Sequence, residues 1–139
     1  MNTSNNKGFL LLAHNSENYH QLPLEKLRDL ISRNKAWIDG LAAQGKILGG
    51  HPLECAGTIL SRKSGKLVSD GPFAESKEAI GGYLHLNVET FEEAVALAGK
   101  MPGLDYGVRI EVRPVAAECA TTVRARELEQ QAQLAAVAA

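Results

Sequence analysis

One short run constrains the fold more than any other. Gly8-Phe9-Leu10-Leu11-Leu12-Ala13 has the length of a strand, and its residues are apolar at odd and even positions alike. Side chains alternate between the two faces of a sheet, so such a strand must be covered on both. It belongs in the middle of a sheet with helices on one side and further apolar surface on the other. A second copy of the same sheet is the simplest second cover and gives a two-fold dimer.

The rest of the chain supplies that sheet and its helices. Pro23 suits the first turn of a helix, and Leu24, Leu27, Leu30, Ile31, Trp37, Ile38 and Leu41 fall on one helical stripe, with Gly45 as the stop. Lys46 to Gly50 reads as a short strand end, followed by irregular His51-Pro52-Leu53. Gly57–Ser61 and Lys66–Ser69 flank Arg62-Lys63-Ser64-Gly65 as a hairpin with glycine in its turn. Tyr83 to Val88 alternates with period two, so Leu84, Leu86 and Val88 face one way and Tyr83, His85 and Asn87 the other. Thr90-Phe91-Glu92-Glu93 is a capping box, opening a helix that Met101-Pro102-Gly103 stops. In the last strand, Gly107 to Pro114, Val108, Ile110 and Val112 face the core, while Arg109, Glu111 and Arg113 face away.

Two helices over one antiparallel sheet is the split βαβ, ferredoxin-like arrangement of an α+β fold. The expected organisation is one such domain over residues 1–115 and an alanine-rich helical extension over residues 116–139. Thr121 and Thr122 are placed to cap the extension's helix, whose apolar stripe is weak; it is expected to lie on a partner subunit or to fray.

Composition excludes several functions. A net charge of −1 leaves no basic footprint for nucleic acid, and aromatic residues make up only 5% of the chain, too few for base-stacking platforms. The apolar run at Phe9 is too short to span a membrane. Cys55 and Cys119 form neither a disulfide framework nor a metal spacing, and read as plain thiols of a cytoplasmic protein. The four histidines show no HxH or HxxxH pair, so neither metal nor cofactor is expected.

Between the hairpin and the alternating strand lies Ser69-Asp70-Gly71-Pro72-Phe73-Ala74-Glu75-Ser76-Lys77-Glu78-Ala79-Ile80-Gly81-Gly82-Tyr83. Asp-Gly-Pro breaks the chain, the Asp70 carboxylate is able to accept amide bonds from the turn that follows, and the glycine pair permits close approach to a neighbouring strand. The run Asp70 to Glu78 with Gly81-Gly82-Tyr83 resembles the signature of the DGPF branch of the bacterial YCII-related proteins, and Val108 to Val115 resembles that family's closing strand. The resemblance covers roughly Gly8 to Val115. It implies a ferredoxin-like domain that dimerises into an α/β barrel and, with most members unassigned, little about function. Related YCII proteins are associated with a His and Asp pair whose histidine comes from the first helix. Here Trp37 falls at that place, and no histidine follows His20 in the helix.

The candidate site is therefore built from other residues. His85 lies on the strand face turned away from the helices and is the first candidate for acid or base work, with Asp70 as its carboxylate. His51, His14, Tyr83 and Arg109 are candidates for ligand binding, and Arg109, Glu111 and Arg113 also read as charges that guard a sheet edge. Two functions follow as expectations. One is a dimeric small-ligand-binding or regulatory module. The alternative is a cofactor-free enzyme of the lyase, isomerase or dehalogenase type, using a histidine and an aspartate in a cleft for proton transfer.

Overall fold

The computed structural model describes residues 7–14, 17–54, 56–70 and 80–138. The motif residues Gly71 to Ala79, together with Cys55, lie outside the described residues. Among the described residues, six strands and three α-helices follow in the order β1 (Phe9–His14), α1 (Leu24–Ala43), β2 (Ile47–Pro52), β3 (Ile59–Lys63), β4 (Lys66–Asp70), β5 (Ile80–Leu86), α2 (Phe91–Ala98), β6 (Arg109–Pro114) and α3 (Ala120–Ala138). Short 3₁₀ turns at Glu17–Gln21 and Pro102–Tyr106 punctuate the chain.

The main sheet is ordered β2-β5-β1-β6 and all its pairs are antiparallel, so β1 is central as its two apolar faces require. With α1 joining β1 to β2 and α2 joining β5 to β6, this is the ferredoxin-like α+β topology. The β3–β4 hairpin forms a separate two-stranded sheet. Its turn is only Ser64-Gly65, with φ of 51° and 78°, and Arg62 and Lys63 belong to the strand. Positive φ at both turn residues matches the strand twist of a two-residue hairpin.

Helix ends follow local chemistry. Gly45 takes φ of 70°, its N–H reaches the Ala42 carbonyl at 3.0 Å, and the Lys46 N–H reaches the Leu41 carbonyl at 3.0 Å. This pair of bonds is the Schellman closure that a left-handed glycine permits. Thr90 caps α2 by accepting the Glu93 N–H at 3.1 Å. The Glu93 carboxylate reaches Lys46 at 3.1 Å, tying the start of α2 to the start of β2.

The register divides the sheet into cross-strand rows. On the helix-covered face, Pro114, Phe9, Leu86 and Ile47 form the first row; Val112, Leu11, Leu84 and Gly50 form the second; Ile110, Ala13, Gly82 and Pro52 form the third. Phe9, Leu11 and Leu86 are buried with Leu41 of α1, Val88, and Ala94 and Ala98 of α2. The core is thus concentrated under the first two rows. The apolar stripe of α1 is only partly used: Leu41 is buried, while Leu24 and Ile31 are exposed. Helix α3 has no buried residue, and Ile59, Leu60 and Leu67 of the hairpin are exposed.

Candidate functional site

The third row explains an apolar concavity. Across three adjacent strands it carries a methyl group, a hydrogen and a proline ring, where the rows beside it carry leucine and phenylalanine. Helix α1 spans this thin patch, and a cleft of about 560 Å³ is left between helix and sheet. Its walls come from Leu11, Ala13, Gly82, Leu84 and Ile110 of the sheet, Asn34, Trp37 and Ile38 of α1, and Met101 beyond α2. The Trp37 indole N–H donates to the Leu97 carbonyl at 3.1 Å, which fixes the ring between the two helices. Ligand cavities generally have this size and this apolar character.

His51, Tyr83 and the glycines of β2 and β5 also belong to the wall. His51 and Tyr83 are paired directly across β2 and β5, with ring centroids 5.8 Å apart at 66°. Strand alternation turns both rings toward the open face, so Asn34 is the polar side chain set among the apolar ones.

The open face carries the other histidines. Its rows are Arg113, Leu10, His85 and Gly49, then Glu111, Leu12, Tyr83 and His51, with Arg109 opposite His14 at the end. The register therefore gathers five of the six sequence candidates, His14, His51, Tyr83, His85 and Arg109, on one face. The sixth does not join them. Asp70 ends β4 opposite Ile59 in the separate hairpin and is exposed, and it makes no hydrogen bond to a histidine among the described residues. The His85 Nε2 is instead 2.8 Å from the Lys7 carbonyl, to which it donates, on the wall of a second, open concavity of about 820 Å³ shared with Leu48, Asn87 and Glu89.

The carboxylate partner that does appear is Glu111. His14 Nε2 lies 3.1 Å from Glu111 Oε1, a cross-strand diagonal between β1 and β6, and the Arg113 Nε is 3.6 Å from the other Glu111 oxygen. His14 Nδ1 is enclosed and has no hydrogen-bond partner among the described residues. The sequence pattern had put Glu111 on the outward row, but only the β1–β6 register shows which histidine it meets. No group of three or more metal-ligating side chains occurs among the described residues, and no helix among them is long and apolar enough to cross a membrane.

A ferredoxin-like sheet with an apolar helix–sheet cleft on one face and a histidine-bearing open face on the other defines a small α+β domain. The YCII-related domain model matches residues 8–118, and the chain belongs to that family. No curated protein matches the chain in sequence.

Proposed function

We propose that this protein is a binding module for a small, mainly apolar molecule, seated in the cleft between α1 and the third row of the sheet. The observation that carries the reading is the cleft itself: about 560 Å³ beside a pinned Trp37, with apolar walls. Screening small fragments by amide NMR tests it. Binders are expected to move the signals of Ala13, Gly82 and the single tryptophan's indole N–H. Binders that move only open-face residues such as Leu10 and Leu12 would overturn it.

We further propose that the module works as a two-fold dimer through its open face, as the DGPF resemblance implies. Leu10, Leu12 and Tyr83 on that face are half-buried, between Arg109, Glu111 and Arg113 on β6 and His51 on β2. Sedimentation is expected to give a dimer that Leu12→Arg converts to monomer; a wild-type monomer at tens of micromolar would refute it. Two cysteines without a disulfide framework support a cytoplasmic setting.

A second reading, cofactor-free proton transfer, finds its support in the His14–Glu111 contact, since a carboxylate on one imidazole nitrogen orients the ring for acid or base work. In that reading Glu111 holds the place expected for Asp70. Loss of turnover in His14→Gln, with fold retained, is the outcome it requires.

A further inference from the structure

We propose that the cleft selects neutral, planar aromatic molecules and rejects carboxylates of the same size. This rests on the cleft being the binding site and adds the class of its ligand.

Shape gives the first argument. The floor across β1 and β5 is the Ala13–Gly82 pair, opposite one another in register, and nothing larger than a methyl group rises from it. Such a floor is flat over the width of two strands, and a planar ring lies on it with full contact where a puckered ring touches at a few points. Building a Cβ on Gly82 brings it within 3.2 Å of the His51 carbonyl oxygen, so the floor is also packed tightly against β2. The wall beside it includes the Trp37 indole. Trp37 is held by its N–H bond to Leu97, so its indole is presented in one orientation, and ring–ring contacts reward a planar aromatic partner.

Charge gives the second argument. The described residues lining the cleft include no lysine, arginine, aspartate or glutamate. An anion entering would lose its water and meet no lysine or arginine among the described lining residues, which is costly in an apolar site. Asn34 offers one amide, enough for a single hydroxyl or carbonyl on the ring's edge.

Three probes of one skeleton separate these arguments: 2-naphthol, 2-naphthoate and decahydro-2-naphthol, titrated at pH 7 by calorimetry and by amide NMR on the whole chain. The naphthol is expected to bind about tenfold more tightly than either of the others, with shifts at Ala13, Gly82 and the Trp37 indole. Equal or tighter binding of the naphthoate or of the saturated alcohol, with the same shifts, overturns the ligand class and leaves the cleft standing as a site. Absence of shifts at these residues with all three probes overturns the cleft reading itself and the ligand class with it. Trp37→Leu is expected to bring the naphthol and its saturated analogue to within about threefold of each other. Ala13→Leu, which raises an isobutyl group from the floor, is expected to abolish both. The wild-type comparison decides the matter alone if either variant fails to fold.

Discussion

Gly8 is the residue whose replacement should be felt most for its size. It has φ of 88°, and a Cβ built there lies 2.4 Å from the Leu86 carbonyl oxygen and 3.0 Å from the His85 Nε2. The first contact is with backbone of the neighbouring central strand, so neither a rotamer change nor a side-chain shift relieves it. Gly45 separates the two effects, since its φ is 70° but nothing lies within 4 Å of its Cβ. Gly49 removes both, with neither a positive φ nor a neighbour within that distance. A positive φ costs a residue with a Cβ roughly 1–2 kcal/mol. Gly45→Ala should therefore lose about 1 kcal/mol, Gly8→Ala about 2–4 kcal/mol once β1 and β5 are forced apart, in the range of severe single substitutions, and Gly49→Ala between no loss and a gain of about 0.5 kcal/mol. Urea unfolding followed by far-UV circular dichroism measures the three side by side. A Gly8→Ala loss no greater than that of Gly45→Ala would refute the reasoning, because it would mean that the start of β1 is not held against Leu86.

Four further outcomes follow from individual contacts and elements. Thr90→Ala removes the side-chain acceptor of the Glu93 N–H and should cost about 1 kcal/mol, read from the same urea midpoints, while Thr90→Ser should restore most of it. The Cys119 thiol is held below its usual range, first by its hydrogen bond with the Thr121 hydroxyl and then by backbone N–H groups, so more thiolate is present at a given pH than in a free thiol. In a Cys55→Ser background, Cys119 should accordingly alkylate with iodoacetamide at a lower pH than glutathione does, and Thr121→Val should move its pH–rate profile upward. Ending the chain after Ala116 removes a helix with no buried residue, so the unfolding free energy of dilute monomer should change by no more than about 0.5 kcal/mol. The amides of α3 and of the β3–β4 hairpin should exchange with solvent well before those of β1 and β5.

The sheet was legible because its residues carry strong local patterns. Phe9 to Ala13 is apolar on both faces, which admits few positions other than a central one, and Leu84, Leu86 and Val88 alternate in step with Ile110 and Val112. Gly45 and Thr90 name helix ends through chemistry confined to a few residues, and both act as their types dictate. The site was legible only by face. Alternation put Tyr83 and His85 on one face and turned Arg109 outward, but His51 read as part of an irregular stretch where the structure continues β2 to Pro52, and nothing in the sequence assigned His14 a face; the register brings the five together, because alternation carries no information about position along the strands. Asp70 shows the consequence: it is near the candidates in sequence, yet the β3–β4 hairpin carries it into a separate sheet. His14 and Glu111 are 97 residues apart and meet through register, which depends on every pair between β1 and β6.

The cleft illustrates a different kind of hidden feature, because it arises from what three strands lack. Ala13, Gly82 and Pro52 are unremarkable singly, and Gly82 reads in sequence as a residue that allows close strand approach. Only when the register sets them side by side do they form a thin patch where α1, leaving its stripe half used at Leu24 and Ile31, stands above the sheet without filling the space. The same register sends the histidines to the opposite face. Apolar binding and imidazole chemistry are therefore separated by the thickness of one sheet, and a ligand held against Trp37 cannot also lie on His14. Catalysis by His14–Glu111 would need a substrate on the open face, where a second subunit is proposed to dock. Within this fold the binding reading and the dimer support each other, while the proton-transfer reading competes with the dimer for the same surface.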